Sequence, residues 1–98
     1  MYATIRRYEG VGDPAEAGRR IREDFVPLIS QIDGFIAYYW IDGGSGVMVS
    51  TSVYEDQAGA EASNERAAGW IRDNPGVVPN SSLITAGEVV ASKSAQGT

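Results

Sequence analysis

The sequence predicts an α+β domain in which two helices pack on one four-stranded antiparallel sheet. Three observations predict it: four short runs rich in β-branched and aromatic residues, two runs with apolar residues at helical spacing, and glycine-rich turns between them. The runs follow one another in the order strand, helix, strand, strand, helix, strand. This is the βαββαβ order of ferredoxin-like folds, in which right-handed crossovers place both helices on one face of the sheet.

The first part of the chain supplies one strand and one interrupted helix. Residues 2–8 form a short strand with aromatic and β-branched residues, and a glycine turn ends it. Asp13 and Pro14 then provide an N-cap carboxylate and a proline suited to the first helical turn. Apolar residues recur every three or four positions from Ala17 to Ile32. Because Pro27 has no amide hydrogen to donate, we expect a kink or a new short helix there.

The rest of the chain supplies three strands and one uninterrupted helix. We expect strands over residues 35–42, 47–54 and 83–91. Glu55-Asp56 is typical of a helix N-terminus, and the helix should run to about Asn74, where proline and glycine follow. A loop through Ser82 should then lead into the fourth strand. We expect residues 92–98 to be a disordered tail, so that residues 1–98 form one domain.

Composition removes several classes of function. The chain has no cysteine and no histidine, which rules out disulfides, thiolate nucleophiles, zinc fingers and triads with an imidazole base. Eight basic and thirteen acidic side chains give a net charge of −5, which disfavours nucleic acid and anionic membrane surfaces as partners. No signal peptide or membrane span is visible in the sequence, so a cytoplasmic protein is expected.

Both faces of the predicted sheet are apolar, which predicts a homodimer. We expect the helices to cover the face that carries Phe35, Ala37, Tyr39, Ile41, Val47, Val49 and Val53. The opposite face would leave exposed, in a monomer, Ile36, Tyr38, Trp40, Met48 and Tyr54. Keeping about five such side chains in water forgoes on the order of 10 kcal/mol. A second copy packed sheet on sheet would bury them.

Two passages resemble dimeric α+β barrel proteins, in particular domains of the antibiotic-biosynthesis-monooxygenase type. Residues 26–35, which lead into Tyr38-Tyr39, look like the family's passage from first helix to second strand. Residues 47–56 are similar to its passage from third strand to second helix. The resemblance implies a dimer whose sheets form a barrel, with a small-molecule cavity inside each subunit. Some members oxidise phenols or quinols without metal or flavin, whereas the haem-degrading members need a histidine ligand and resemble this chain less.

Asn64, Tyr39 and Trp70 are the candidate catalytic residues for such a cavity. Asn64 interrupts the small-residue stripe of the second helix and could hold a substrate carbonyl or oxyanion; otherwise it bonds a backbone group or faces solvent. Trp70 could stack on a planar ligand or belong to the core. Tyr39 could donate its hydroxyl to a ligand from the second strand or be a core tyrosine. Tyr38 and Trp40 are assigned to the dimer interface.

Two adjacent arginines in the first strand must point to opposite faces, so one of them should be buried. A buried Arg6 or Arg7 could bind an anionic or enolate oxygen. The favoured alternative is an internal ion pair with Glu88 or another acid. On the second helix, the phenol-oxidising relatives carry an asparagine and a tryptophan about one turn apart. In this chain the residue four positions after Asn64 is Ala68.

The sequence leaves two functions open. One is a cofactor-free monooxygenase that acts on a small aromatic phenol or quinol, with neither a metal nor an organic cofactor. The other is a non-catalytic small-molecule binder or stress-related accessory protein that uses the same cavity. An RNA-binding module of the same topology is set aside, because it would need aromatic residues on the first and third strands and a basic sheet face.

Overall fold

The chain folds into a four-stranded sheet with the strand order β2-β3-β1-β4, in which every neighbouring pair is antiparallel. A computed structural model describes residues 1–79 and 83–95. Its elements are β1 (Tyr2–Tyr8), α1 (Pro14–Arg20), a π-helical turn (Ile21–Phe25), α2 (Val26–Ile29), β2 (Phe35–Gly44), β3 (Val47–Tyr54), α3 (Gln57–Asp73) and β4 (Leu83–Glu88). The predicted α+β, ferredoxin-like fold class is confirmed.

The interruption of the first helix lies where the sequence predicts it. The Asp13 side chain accepts a hydrogen bond from the Glu16 amide at 3.2 Å and so caps α1. The π-helical turn over Ile21–Phe25 precedes α2, which has Pro27 in its first turn. Because proline cannot donate to a carbonyl one turn earlier, the backbone changes its hydrogen-bonding pattern just before it. The π turn directs Ile21 and Phe25 into the core, where both are buried.

Helix α3 begins and ends at the predicted signals. The Asp56 side chain accepts from the Gly59 amide at 3.1 Å, and the Asn74 side-chain amide donates to the Trp70 carbonyl at 2.9 Å. The helix packs across β1 and β3 through its buried small and apolar side chains. No helix within the described part of the chain is long and apolar enough to cross a membrane.

Strand β4 is shorter than the sequence predicts. It ends at Glu88, which lies opposite Tyr2, the first residue of β1, so the ladder has no partner strand beyond this point. The Val89 amide makes one last bond, to the Met1 carbonyl at 2.9 Å. Part of the predicted loop through Ser82 lies outside the described residues, as do residues 96–98 of the predicted tail. Residues 92–95 lie in no helix or strand.

Phe35 faces the helices as predicted, but from Ala37 onward the side chains of β2 and β3 lie on the faces opposite to the predicted ones. The side chains that face the helices are Phe35, Tyr38, Trp40, Met48, Ser50, Ser52 and Tyr54. The outer face carries Ala37, Tyr39, Ile41, Val47, Val49 and Val53. In β2 a bulge between Phe35 and Ala37 shifts the alternation by one residue, so that Phe35 and Tyr38 share a face. The assignment of Tyr38 and Trp40 to an exposed dimer interface is therefore wrong.

Aromatic rings fill the space between the helices and the sheet. Phe25 of the π turn lies 5.8 Å from Tyr38 and 5.7 Å from Trp70, measured between ring centroids. Tyr8 and Trp40 pack on the neighbouring side with centroids 5.7 Å apart. These tilted and edge-on contacts are the favourable geometries for aromatic pairs. The rings form a core that is continuous from α1 across the sheet to α3.

The contact between α3 and β3 depends on a glycine. A Cβ added to Gly59 would lie 2.9 Å from the Cβ and Cδ1 of Tyr54, a side chain with no exposed area. We expect Gly59→Ala to lower the free energy of unfolding by about 1–3 kcal/mol, because the helix must move away from the sheet. Gly69→Ala on the same helix, whose added Cβ meets only the tip of Arg72 at 3.5 Å, should be neutral or stabilising by up to about 1 kcal/mol. Equal effects in urea denaturation would contradict this packing.

Candidate functional site

A polar cluster centred on Arg6 lies between the sheet and α3. Arg6 projects from β1 toward the helices and is only 2% exposed. Its Nε donates to Ser50 Oγ at 3.1 Å, its Nη2 to Ser52 Oγ at 3.0 Å, and its Nη1 to Asn64 Oδ1 at 2.6 Å. These bonds use three of the five N–H groups of the guanidinium. They hold the plane of the charged group against β3 on one side and α3 on the other.

The predicted ion pair between Arg6 and Glu88 is wrong. Arg6 forms no ion pair with any residue in the ranges 1–79 and 83–95. The ladder places Ile84 opposite Arg6, while Glu88 lies opposite Tyr2 and is exposed. Arg7 points to the other face, where its Nε lies 3.2 Å from an exposed carboxylate oxygen of Glu9. Because arginine stays protonated in proteins, Arg6 places a positive charge in the interior with only neutral groups bonded to it.

Asn64 links the polar cluster to α3. Its Oδ1 accepts from Thr4 Oγ1 at 3.0 Å as well as from Arg6 Nη1, so one carbonyl oxygen joins two side chains of β1. The side chain is half-buried, and both bonds that its Oδ1 accepts come from side chains rather than from the backbone. Asn64 thus faces the sheet and fixes the position of Arg6, whereas the sequence predicts that its amide points at the cavity.

A small aromatic cavity lies beside the guanidinium. Its free volume is about 10 Å³, which is room for one water molecule at most. Among the lining side chains are Arg6, Tyr8, Phe25, Tyr38, Trp40 and Trp70. Trp70 lines this cavity, packs on Phe25 and belongs to the hydrophobic core, so both predicted alternatives, cavity wall and core residue, describe its position. Asn64 does not line the cavity itself and acts on it through Arg6.

Two polar atoms of the cavity wall have no hydrogen-bond partner. Tyr38 Oη and Trp40 Nε1 are both buried, and neither makes a hydrogen bond of good geometry among the described residues. The Ser50 hydroxyl and the Arg6 guanidinium are nevertheless close enough to Tyr38 Oη to affect its pKa. Burial raises the pKa of the Tyr38 phenol well above its usual range, although the nearby Arg6 charge acts in the opposite direction. Burial also raises the pKa of Tyr54, whose hydroxyl lacks a partner too. Both phenols are therefore neutral at physiological pH. A buried donor without a hydrogen-bond partner lowers the stability of the fold unless a ligand accepts its hydrogen bond.

An open groove runs along the outside of the cavity wall. It has a volume of about 400 Å³ and lies between α1, the π turn and β2. Ile21, Tyr38 and Trp40 line both the groove and the closed cavity. These three side chains therefore lie between the cavity and this groove.

Tyr39 does not belong to this site. Its side chain is 61% exposed on the outer face of the sheet, so the prediction that it faces the interior is wrong. The β2 bulge places Tyr38 at the interior position instead. The structure thus brings Trp70 and, through Arg6, Asn64 to one site, and it separates Tyr39 from both.

Two serines that bind Arg6 were not among the predicted site residues. Ser50 lies directly opposite Arg6 in the ladder and Ser52 opposite Thr4. The signal was present in β3, where two hydroxyl residues alternate with valines and so share a face. Small polar side chains on one face of a strand leave room for a long charged side chain from the next strand. Within the described residues, no group of acidic side chains could hold a metal ion.

Solved structures with the same fold support the resemblance seen in the sequence. A protein of unknown function from Nitrosomonas europaea, NE2512, matches with a TM-score of 0.70 and 22% sequence identity, over 94% of this chain and 91% of that chain. SnoaB, a cofactor-independent oxygenase from Streptomyces nogalater, matches with a TM-score of 0.70 and 12% identity, over 93% of this chain and 94% of that chain.

Two further matches describe the fold group. An antibiotic biosynthesis monooxygenase has a TM-score of 0.65 at 14% identity, and covers 93% of this chain and 100% of that one. A dimeric ferredoxin-like protein from an uncultured marine organism has a TM-score of 0.63 at 11% identity, with coverages of 95% and 98%. No protein-family model and no curated protein matches the sequence. The chain therefore has the fold of the monooxygenase-type ferredoxin-like proteins that its sequence resembles.

The polar cluster predicts an unusual effect of Asn64→Asp. A carboxylate at this position would accept the same two hydrogen bonds and supply the counter-charge that Arg6 lacks. We expect a gain of about 1 kcal/mol in the free energy of unfolding at neutral pH. The gain needs an ionised carboxylate, so it should be lost as the pH falls through the pKa of the introduced carboxyl group in the folded protein. Chemical denaturation at neutral and acidic pH measures this, and a loss of stability at neutral pH would contradict the assignment.

Proposed function

We propose that the protein is a homodimer that binds a small aromatic molecule between sheet and helices and oxidises it as a cofactor-free monooxygenase. The observation that carries this proposal is the pair of unpartnered donors, Tyr38 Oη and Trp40 Nε1, in the wall of an aromatic cavity beside Arg6. Flat rings suit stacking on a planar ligand, and isolated donors suit the oxygen atoms of a phenol or quinol. The similarity in fold to a cofactor-independent oxygenase also supports it.

The proposed reaction draws all its electrons from the substrate. A ring methylene flanked by aromatic rings reacts with one molecule of O₂ and becomes a ketone. One oxygen atom enters the new carbonyl, and the other leaves as water with the two hydrogen atoms of the methylene. The carbon loses four electrons and the two oxygen atoms gain four, so the reaction needs no external reductant. The protein then has to bind the electron-rich ring, orient it toward O₂ and exclude bulk water.

Each side chain of the site has a distinct role in this proposal. Trp70 and Phe25 provide the stacking surface, and Tyr38 and Trp40 donate hydrogen bonds to substrate oxygens. Asn64 is a positioning residue, because it fixes the guanidinium of Arg6 rather than lining the cavity.

One observation favours the second candidate function, a non-catalytic binder. Within the described residues, the cavity wall has no carboxylate, and the chain has no histidine, so no conventional general base is at hand. A protein of this kind would hold an aromatic molecule in the same site and release it unchanged. Binding without product formation would identify this function.

Two neighbouring tyrosines provide a matched test of the oxygenase proposal. Purified protein is incubated with anthrone or 1,4-naphthohydroquinone under ¹⁸O₂, and oxygen uptake and product mass are measured. For anthrone we expect one labelled oxygen atom in the product. Because Tyr38 Oη lies in the cavity and Tyr39 lies on the outer face, Tyr38→Phe should slow turnover about tenfold or more and Tyr39→Phe should not. Absence of turnover, or equal effects of the two variants, would contradict the proposal.

A second copy of the chain is the best occupant of the outer sheet face. Large apolar side chains remain exposed there, including Ile5 at 41%, Ile41 at 49% and Leu83 at 70%. Covering the exposed parts of these side chains and of Tyr39 would contribute on the order of 5 kcal/mol. An exposed apolar sheet face of this kind suits a two-fold dimer with sheet packed on sheet. The similar fold of a protein described as dimeric also supports this assembly.

Charge introduced at the centre of this face should prevent the dimer from forming. Ile5 lies in the middle of β1 on the outer face, so Ile5→Glu should give a monomer, because a buried unpaired carboxylate is strongly unfavourable. Ala68→Glu, on the exposed side of α3, is the matched control and should remain dimeric. Sedimentation equilibrium at low micromolar concentration measures both. A monomeric wild-type protein would contradict the proposal.

A further inference from the structure

We propose that the interior site binds its ligand as an anion, with an oxyanion on an aromatic ring held by the guanidinium of Arg6. This inference rests on the proposed function, because it names the ionised form of the ligand for the same site. The ligand chemistry is a phenolate or enolate oxygen, or a ring carboxylate, attached to a flat ring that the aromatic cavity can hold.

The positive charge of Arg6 has no counter-charge within the described residues. Arg6 is almost fully buried, and its three hydrogen-bond acceptors, Ser50, Ser52 and Asn64, are all neutral. Buried charges in proteins are normally paired, because an isolated charge in a low-dielectric interior is strongly unfavourable. The chain carries thirteen acidic residues, and those that form ion pairs in the described part of the chain do so with exposed or half-buried arginines other than Arg6. A bound anion would supply the charge that the protein does not place here.

Every polar group that faces the cavity can act as a hydrogen-bond donor. Arginine and the tryptophan indole can only donate hydrogen bonds, and a neutral tyrosine can donate one. Arg6 and Trp40 can therefore only donate to a ligand in the cavity, and Tyr38 can donate its hydroxyl hydrogen. Tyr38 stays neutral because burial raises its pKa. Three donors that surround one space match an oxygen atom with several lone pairs and a negative charge.

The cavity is too small for a ring but lies beside an open groove. The closed cavity of about 10 Å³ cannot hold a ring, so a ligand must displace part of its wall. Tyr38, Trp40 and Ile21 separate it from the groove of about 400 Å³, a volume within the usual range for small-molecule sites. Rotation of these side chains would join the two spaces, with the ring in the groove and its oxyanion at Arg6. Ile21 belongs to the π turn, a type of irregularity that is frequent at functional sites.

A charged and a neutral probe of the same shape test the inference. Binding of 4-nitrophenol, at mildly alkaline pH where it is ionised, is compared with binding of 4-nitroaniline by calorimetry on the intact protein. We expect the phenolate to bind at least about tenfold more tightly, as a charge-assisted hydrogen bond would give. 4-Nitrobenzoate in place of the phenolate distinguishes a carboxylate from a phenolate ligand, and preferential binding of either anion supports the inference.

Three variants assign the effect to Arg6. Arg6→Gln removes the charge and should reduce phenolate binding about tenfold or more, with a much smaller change in 4-nitroaniline binding, so that the preference for the anion is lost. Asn64→Asp, which supplies an internal counter-charge, should weaken phenolate binding to a similar extent in a protein that remains folded. Arg7→Gln is the matched control, because it removes the adjacent arginine on the outer face and should have no effect.

The outcomes separate this inference from the proposed function. If both probes bind equally and Arg6→Gln changes neither, the site binds aromatic molecules but the anion inference is wrong. If Arg7→Gln weakens phenolate binding as much as Arg6→Gln, the anion binds at the surface and the inference is again wrong. If no probe binds to the wild-type protein, both the inference and the proposed aromatic site are overturned.

Discussion

The structure of this domain depends on burying the Arg6 side chain in the middle of the sheet without a carboxylate partner. Ser50 and Ser52 occupy the positions where larger side chains would collide with the guanidinium, and Asn64 reaches down from α3 to accept its third hydrogen bond. Neutral acceptors satisfy these N–H groups but leave the charge itself uncompensated, which is unfavourable in a low-dielectric interior. The same arrangement leaves a positive potential at the wall of the aromatic cavity, which is the basis for the proposed ligand chemistry.

This constraint also places the valines of β3 on the outer face of the sheet. The helix-facing side of β3 has to be partly small and polar beside Arg6, so its valines lie on the outer face. On β3, the outer face carries valines and the helix-facing side carries serines beside Arg6. An aliphatic outer face is typical of a sheet that packs against another sheet. The alternation of serines and valines along β3 therefore contributes both to the interior site and to the proposed dimer interface.

The sequence predicts the fold well because the relevant signals are local. Asp13, Pro27 and Asp56 act through neighbouring backbone groups, and their effects appear in the structure at the predicted places. The faces of β2 could not be predicted in the same way. A single bulge beside Phe35 reverses the alternation, and the bulge depends on pairing with β3 rather than on any residue of β2 alone. For that reason the sequence predicts Tyr39 in the interior, where Tyr38 lies.

The site could be predicted only in part, because it depends on contacts between distant residues. Asn64 and Trp70 can be identified from their positions on one helix, and the structure places Asn64 on Arg6 and Trp70 in the cavity wall, while their catalytic roles stay predictions. The partner of Arg6 could not be read from the sequence, since any of several acids could have faced it. Only the register of β1 against β3 shows that Arg6 faces two serines.

The most direct measurement of the central claim is a high-resolution crystal structure of the wild-type protein with no ligand added. The account predicts no carboxylate oxygen within ion-pair distance of the Arg6 guanidinium, from the same subunit or from a second copy. It also predicts a water molecule or a small anion at the side of the guanidinium that faces the cavity. An ion pair between Arg6 and a carboxylate of either subunit would contradict the account, because the interior charge would then already be compensated.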